Sequence, residues 1–316
     1  MLFNKGNTRT PLLSMIGGKT KYTNSVEYVL SQTYASEDGD IPDISESGSL
    51  TAPNPTYITR TQATNVTQIY HESVAISYAK QSNMGTLSGA NIAGQEANPM
   101  NELDFQVARK MNKIGRAIEK TFIQGTYRKA TKDDEANKTR GLAQAIETNV
   151  IDAKGASLDI WMLNDLMIRM KNNGADITNL VAWLDTTTIN QLNGSAVENG
   201  LTVVPASRNE NGINVRTIEL PSGIITIANG EFIPAGTAFL LNFDVISPVE
   251  QPVPDKGNFF LEELSKTGAG SKYQIYGQIG LDYGAEHLHG KITGLSTTFT
   301  KPIGKKVVVV EEAPSA

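Results

Sequence analysis

Apolar side chains recur every three or four residues between residues 98 and 125, which predicts one long amphipathic α-helix. The apolar positions are Met100, Leu103, Val107, Met111, Ile114 and Ile118. Asn98 can cap this helix, Pro99 suits its first position, and Gly125 can end it. A helix of this length extends for about 40 Å, which is long for a globular protein.

A second stripe on the same predicted helix is basic and consists of Arg109, Lys113, Arg116 and Lys120. Because each helical residue advances by about 100°, this stripe lies roughly opposite the apolar one. Two interpretations remain open. The stripe is either a solvated face, neutralised by Asp104, Glu119 or acidic residues of neighbouring subunits, or a surface that faces the phosphates of nucleic acid.

Alternation with a period of two predicts β-strands in two other parts of the chain. One is 56–80, which is rich in Thr, Val, Ile and Tyr, and the other lies within 258–299. We expect the strands of 56–80 to form the arms of a hairpin or an extended loop. The small and polar residues of 81–97 predict a flexible bridge to the long helix.

The first 55 residues have no sustained helical period and include the acidic stretch 36–49. Two interpretations are open: a disordered leader, or an arm that becomes ordered against a neighbouring molecule. Scattered apolar anchors favour the arm, because a purely solvated tail rarely carries them: Leu12, Leu13, Met15, Ile16, Tyr22 and Tyr28.

Residues 150–250 alternate between helical and strand patterns, which predicts a mixed domain with more strands than helices. A helix follows Ser157 as its cap, ends at Gly174, and has an apolar face of Ile160, Leu163, Leu166, Met167 and Met170. The other predicted elements are a buried strand at 179–185, a short helix at 186–194, a short strand at 200–206, a hairpin at 215–230 and a buried strand at 238–253.

Composition narrows the possible functions. The 316 residues carry 28 basic and 33 acidic side chains, a net charge of −5, which argues against a dedicated nucleic-acid binder. Cysteine is absent, so disulfides and thiolate chemistry are excluded. No apolar run approaches the roughly 20 residues that a membrane-spanning helix needs, and the start lacks a signal-peptide core, so we expect a protein made and used in a cytoplasm.

The inventory of chemically active residues is small. Its three histidines are His71, His287 and His289, and the last two could share one strand face. A metal site needs three or four ligands, and no partner cluster accompanies them. Nucleophile-elbow, P-loop and dinucleotide-binding motifs are also missing. We therefore expect no catalytic, cofactor-binding or metal site.

Four stretches, in the same order along the chain, resemble the major capsid proteins of tailed bacteriophages, in the SU-ten-like branch. They are NVTQIYHESVAISYAKQ at 65–81, ELDFQVARKMNKIGRAIEKTFIQG at 102–125, TRGLAQAI at 139–146, and ELSKTGAGSKYQIYGQIGLDYGAEHLHGKITGL at 263–295. The first resembles a strand beside that family's extended loop, and the second its long helix. The third and fourth resemble its Arg-Gly-Leu element and its closing strand.

This resemblance implies an α+β protein with the Hong Kong 97-type phage capsid fold. The implied parts are an N-terminal arm at 1–55, an extended loop at 56–97, a peripheral domain at 98–150 with its spine helix at 98–125, an axial domain at 151–250, return strands of the peripheral domain at 251–300, and a C-terminal tail at 301–316. The stripe of Arg109, Lys113, Arg116 and Lys120 would then face the lumen and its DNA.

The implied function is a major capsid protein that self-assembles into the pentamers and hexamers of an icosahedral head. That shell would enclose double-stranded DNA without reading its sequence, and it would form in the bacterial cytoplasm without contacting a membrane. Portal, scaffolding and decoration proteins are possible partners. Met1 lies only about a hundred residues before the spine helix, so we expect any scaffolding protein to be separate. Two alternatives remain: an encapsulin-like cellular compartment, or a monomeric strand-rich binding module.

Overall fold

The structure, a computed structural model, describes residues 9–34, 41, 43–52, 54–55, 57–82, 86–87, 90–91, 102–198, 208–210, 213–266 and 268–299. The chain divides into two compact units. We call Ile16–Ala145 together with Val245–Glu286 the helix unit. The sheet unit comprises Met1–Met15, Ile146–Asp244 and His287–Ala316.

In the described residues the α-helices are α1 (Pro11–Ile16), α2 (Tyr78–Ser82), α3 (Glu102–Gln124), α4 (Leu142–Ala145), α5 (Ile160–Asn172) and α6 (Thr186–Glu198). The strands up to residue 210 are β1 (Lys21–Tyr22), β2 (Glu27–Tyr34), β3 (Arg60–Val66), β4 (Gln68–Ser77), β5 (Thr86–Leu87), β6 (Ala90–Asn91), β7 (Val150–Asp152), β8 (Leu180–Leu184) and β9 (Arg208–Glu210). The later strands are β10 (Ile213–Leu220), β11 (Gly223–Asn229), β12 (Ala238–Asn242), β13 (Ser247–Glu250), β14 (Phe260–Leu264), β15 (Gly270–Asp282) and β16 (Gly290–Thr293).

Strand β15 is the centre of the helix unit. It runs antiparallel to β4 through a continuous ladder from Gly270↔Ser77 to Ile279↔Gln68. It also pairs with β14 and with β13, and β1 adds to β13 in parallel. Along β4, Tyr70, Val74 and Ile76 are buried and Glu72 is partly buried, while the alternate residues His71, Ser73 and Ala75 are exposed, so the predicted alternation is confirmed.

The strands of 56–80 are present, but they have different partners from those we expected. In the described residues β3 pairs with β2, while β4 pairs with β15. The two strands of the hairpin are therefore Glu27–Tyr34 and Arg60–Val66, and the intervening chain spans 35–59. Sequence alternation indicates a strand without identifying its partner, which explains the error.

The sheet unit is built on a seven-stranded mixed sheet in the order β7-β16-β12-β8-β11-β10-β9. All five residues of β8 are buried, as predicted for 179–185. Helix α5 buries its predicted apolar face in a core that includes Leu184, Ile225 and Leu240 from the sheet. Its cap is Asp159, whose Oδ1 accepts a hydrogen bond from the Ile160 N–H at 2.6 Å, so the predicted cap at Ser157 is wrong by two residues.

Three other predictions need correction. A short helix, α1, lies within the segment expected to be extended, and its Leu12 and Ile16 are fully buried within this chain. The expected single strand at 238–253 is two strands, β12 and β13, in two different sheets. The break follows a local turn in which the Asn242 side chain accepts a hydrogen bond from the Asp244 N–H at 2.9 Å. Helix α6 also extends beyond the predicted 186–194.

Further corrections and limits concern the histidines and the chain segments around α3. His287 and His289 do not share a strand, because His287 lies in a short helical turn and His289 precedes β16. The proposed cap at Asn98, the positions of Pro99 and Met100, the strand at 200–206, the tail and most of the 81–97 bridge lie outside the described residues.

The Arg-Gly-Leu element at 140–142 lies against the end of α3, where two glycines allow the backbones to touch. A Cβ on Gly141 would lie 2.5 Å from the Gly125 nitrogen and 2.6 Å from the Thr121 carbonyl oxygen. The Gly141 N–H donates to the Gly125 carbonyl at 2.9 Å. These contacts leave no space for a side chain at residue 141.

We expect Gly141→Ala to lower the free energy of unfolding by about 3 kcal/mol, because the added methyl would force two hydrogen-bonded backbones apart. Gly18→Ala is the matched control, since a Cβ there meets nothing within 4 Å; its change should stay within about 0.5 kcal/mol. Urea unfolding of the free subunit measures both values. Equal midpoints for the two variants would contradict this explanation of the motif.

Candidate functional site

Helix α3 packs against β4, β15 and α4, and only its C-terminal half is well buried. Ile114, Ile118 and Phe122 have at most 5% of their surface exposed, whereas Met111 is 38% exposed. The apolar stripe predicted from Met100 to Ile118 is therefore buried from Ile114 onward and partly open before it. In a monomer this leaves the N-terminal half of α3 without full apolar cover.

Glu72 of β4 binds two lysines of α3. Lys110 Nζ lies 2.8 Å from Glu72 Oε2, and Lys113 Nζ pairs with Oε1 of the same carboxylate. The hydrogen bond from Lys110, and to a smaller extent that from Lys113, holds the pKa of Glu72 below its ordinary value. The Lys113 charge is therefore balanced within its own chain by Glu72, a carboxylate that neither interpretation of the stripe named.

The other members of the predicted stripe lie on the same side of α3 as Lys113, since they are three or four residues apart. Arg109 is exposed and its guanidinium lies 5.4 Å from the centre of the Phe105 ring. Lys120 is exposed, and Arg116 is half-buried. Their role toward DNA stays a prediction.

The chain that connects β2 to β3 exposes an unusual amount of apolar surface. Ile41 is 94% exposed, and Leu50 and Tyr57 are each 87% exposed. Ile44 is 72% exposed, and Tyr34, the last residue of β2, is 68% exposed. The surrounding 36–49 sequence has five acidic residues and no basic one. Large apolar side chains this exposed and this close in sequence are candidates for a surface that another molecule covers.

The base of this hairpin is held rigidly in the helix unit by Asn65, which is fully buried. Its side-chain amide donates to the carbonyls of Leu281 at 2.8 Å and Arg140 at 3.2 Å. Its Oδ1 accepts from the N–H groups of Arg140 at 2.8 Å and Val66 at 2.9 Å. One side chain thus satisfies polar backbone groups of three segments that are distant in sequence.

Tyr28 strengthens the same base from the opposite strand. Its hydroxyl donates to the Leu281 carbonyl at 2.9 Å, and its ring lies where a side chain on Gly280 would be, since a Cβ there would be 2.3 Å from the hydroxyl. Burial raises the pKa of Tyr28 far above its ordinary value, so the group stays neutral. Glycine at residue 280 is therefore needed for the close approach of the hairpin.

The described residues contain no group of three or more His, Asp or Glu side chains placed to hold a metal ion. His71 shares a hydrogen bond with Gln274 at 3.2 Å, and the buried His289 accepts one from the Asn242 N–H at 3.2 Å through Nδ1. Both histidines thus have structural partners. In the same residues no helix has the length and apolarity that crossing a membrane requires.

Known structures share this architecture. The capsid of cyanophage A-1(L) matches with a TM-score of 0.62 and 13% identity, covering 94% of this chain and 96% of that one. The SrpI encapsulin of Synechococcus elongatus PCC 7942 matches with a TM-score of 0.60 and 9% identity, covering 96% and 95%. Mycobacterium phage Patience matches with a TM-score of 0.58 and 10% identity, covering 92% and 84%. A search of the curated proteins finds no match.

The fold is thus the Hong Kong 97-type α+β fold of phage capsids, as the resemblance implied. The model of the family described as SU10 major capsid protein matches residues 1–296. The chain belongs to that family: it is a major capsid protein of a tailed phage, a component of the virion shell, and it forms that shell with further copies of itself.

Sequence reasoning missed Glu72, Asn65 and Lys110, and it identified Tyr28 only as an apolar anchor of the N-terminal segment. A signal did exist for Glu72, because it is a lone carboxylate between Tyr70 and Val74 on the apolar side of a predicted strand. Such a group requires a cationic partner when the strand is covered. Asn65 and Tyr28 had no comparable signal, because their partners at Arg140 and Leu281 are distant in sequence.

We expect Glu72→Gln to lower the free energy of unfolding by about 1 kcal/mol at pH 7, because two ion pairs are lost at a partly buried site. A carboxylate whose pKa is lower in the folded state than in the unfolded state stabilises the fold at pH values above its ordinary pKa. This stabilisation is lost as the pH falls through the pKa of the folded state. The difference from the wild type should therefore shrink as the pH falls below 4.5.

Urea unfolding of the free subunit at about pH 7 and about pH 3 tests this. Glu263→Gln on β14 is the control, since it makes the same change at an exposed carboxylate of the same sheet. An equal loss at both pH values would show that the effect of Glu72 is steric and not ionic.

Proposed function

We propose that copies of this chain form pentamers and hexamers of an icosahedral head that encloses double-stranded DNA, assembled in the cytoplasm of a bacterial host. The observation that carries this proposal is the β2–β3 hairpin with its exposed apolar connection. Within a single chain, the side chains of Ile41, Leu50 and Tyr57 are exposed. In a shell, a neighbouring copy would cover them. A portal, a separate scaffolding protein and decoration proteins remain possible partners.

We further propose roles for the parts of the chain, with one change to the sequence-based boundaries. We move the extended loop from 56–97 to 27–66, the residues of the β2–β3 hairpin. The pairing of β2 with β3 supports this change. The peripheral parts at 98–150 and 251–300 then correspond mainly to the helix unit. The axial part at 151–250 corresponds mainly to the sheet unit, to which residues from 287 onward also belong.

The similarity to an encapsulin keeps a cellular compartment as the alternative, although the family match favours a phage head. Both shells would be made of many copies, so the contents separate them. Purified particles from the native source should contain DNA under our proposal and a protein cargo under the alternative. A species that sediments only as a monomer near 34.1 kDa would exclude both kinds of shell.

For shell assembly, we expect Leu50→Asp with Tyr57→Asp to reduce the yield of closed shells at least about tenfold, because losing two apolar anchors weakens every hairpin contact. Ser47→Asp with Thr51→Asp is the matched control, since it adds the same charge at exposed positions of the same connection. Light scattering and electron microscopy give the yields. If the two double variants assemble alike, the apolar connection is not a docking element.

For DNA, we propose that Arg109 and Lys120 contribute most of the lumenal attraction, Lys113 less because Glu72 balances it, and Arg116 less because it is half-buried. Changing Arg109, Lys113 and Lys120 together to Gln should leave empty shells normal and destabilise filled particles at low salt. The physical reason is the loss of sequence-independent contacts with phosphates, which salt screens.

The control changes Lys132, Lys138 and Lys272 to Gln, an equal loss of charge at exposed positions outside α3. Melting of filled and empty particles at low and high salt is the measurement. If the α3 triple destabilises filled and empty shells equally, or prevents assembly, the stripe belongs to a protein interface and the DNA role is wrong.

A further inference from the structure

Strand β2 contains one residue more than its partner can pair. The first three pairs are Glu27↔Val66, Tyr28↔Asn65 and Val29↔Thr64, and the ladder then resumes at Ser31↔Ala63. Leu30 therefore has no partner in β3 and forms a β-bulge. A bulge interrupts the ladder, bends the strand and increases its local twist.

On the base side of Leu30, both strands are tied to the rest of the helix unit. Asn65 and Tyr28 make the buried hydrogen bonds described above to Leu281 and Arg140. Glu27 accepts a hydrogen bond from Thr64 Oγ1 at 3.1 Å and pairs with Lys129 Nζ at 2.5 Å. These contacts come from several segments, so they fix the direction in which the hairpin leaves the unit.

On the other side of Leu30, the side-chain hydrogen bonds of the described strand residues join only the two strands. Thr33 Oγ1 lies 2.8 Å from Thr61 Oγ1, and the Thr61 hydroxyl also reaches the Thr33 carbonyl at 3.3 Å. Residues 60–62 are exposed, and Tyr34 is 68% exposed. The change from a fixed ribbon to an unsupported one coincides with the bulge.

We infer that Leu30 is the pivot of the hairpin: the part beyond it turns as one ribbon while the part before it stays fixed to the helix unit. The unpaired Leu30 interrupts the regular alternation of inter-strand hydrogen bonds, so the ladder opposes bending less at this point. From Leu30 to Tyr34 the ribbon extends for about 13 Å at the usual rise of a strand, so a turn of about 20° at Leu30 would move its far end by roughly 4 Å.

The role of this pivot in assembly rests on the proposed shell function. The pivot itself rests only on the contacts within one subunit. Hairpins of identical sequence would have to reach neighbours at different angles around five-fold and six-fold positions. A bulge close to a rigid base allows that difference without disturbing the buried contacts of Asn65. The connection could then dock the same apolar residues in both settings.

Deleting Leu30 is the sharpest variant, because it restores a continuous ladder and keeps every observed pair in register. Leu30→Ala is the matched control, since it removes most of the side chain and keeps the extra residue. The native chain has no cysteine, so pairs of spin labels can be introduced without background. One pair joins Tyr34→Cys to Lys132→Cys, and the reference pair joins Val29→Cys to Lys132→Cys.

In the free full-length subunit, the distance distribution from residue 34 to residue 132 should be broader than that from 29 to 132. Deleting Leu30 should narrow the 34-to-132 distribution to the width of the 29-to-132 distribution. Leu30→Ala should leave the 34-to-132 distribution broad. Equal widths in the wild type, or a broad distribution after the deletion, would overturn the pivot. Should the deletion prevent folding, the wild-type comparison and Leu30→Ala still decide the question.

Assembly supplies a second readout. The deletion variant should lose most closed shells and form open or tubular products, while Leu30→Ala should assemble like the wild type. A deletion variant with a narrowed distance distribution and normal closed shells would support the pivot in the free subunit. The same result would overturn the proposal that assembly uses the pivot. If the wild type itself forms no shells, the proposed function fails, and the distance measurement still tests the pivot.

Discussion

The ladder between β4 and β15 is the interaction on which the helix unit depends. It joins residues 68–77 to residues 270–279, about 200 positions apart in the chain. The buried residues of α3 pack beside it, and Glu72 of β4 reaches the lysines of α3 from it. Because its strands come from the two sequence segments of the unit, the ladder cannot form until both have been synthesised. The intervening residues of the sequence, 146–244, belong to the sheet unit.

The continuation of β15 beyond this ladder sets the position of the hairpin. Its residues Gly280 and Leu281 receive Tyr28 and Asn65, so the base of β2–β3 is attached to the same strand that organises the unit. These hydrogen bonds are buried or partly buried, and loss of the Asn65 side chain would leave the Arg140 N–H without this acceptor. The attachment of the hairpin base therefore depends on the same strand that pairs with β4, and on a glycine within it at residue 280.

Local patterns predicted much of this fold, and non-local contacts account for the errors. The apolar faces of α5 and β8 and the alternation of β4 follow from periodicity, because each depends only on neighbouring residues. The pairing of β2 with β3, the division of 238–253 between two sheets and the binding of Lys113 by Glu72 depend on partners elsewhere. The shell function came from resemblance, since the residues themselves contain no catalytic or ligand-binding motif that would indicate it.

The Glu72 pair also changes how the charge of α3 must be understood. Counting Arg109, Lys110, Lys113, Arg116 and Lys120 suggests five positive charges on one helix segment. Yet Lys110 and Lys113 share one carboxylate, which reduces the net charge at that end of the segment by one. A polyanion is attracted to net charge, and salt screens what is exposed more than what is buried. If α3 faces packaged DNA as proposed, the attraction rests more on the exposed Arg109 and Lys120 than on Lys113, whose charge Glu72 balances.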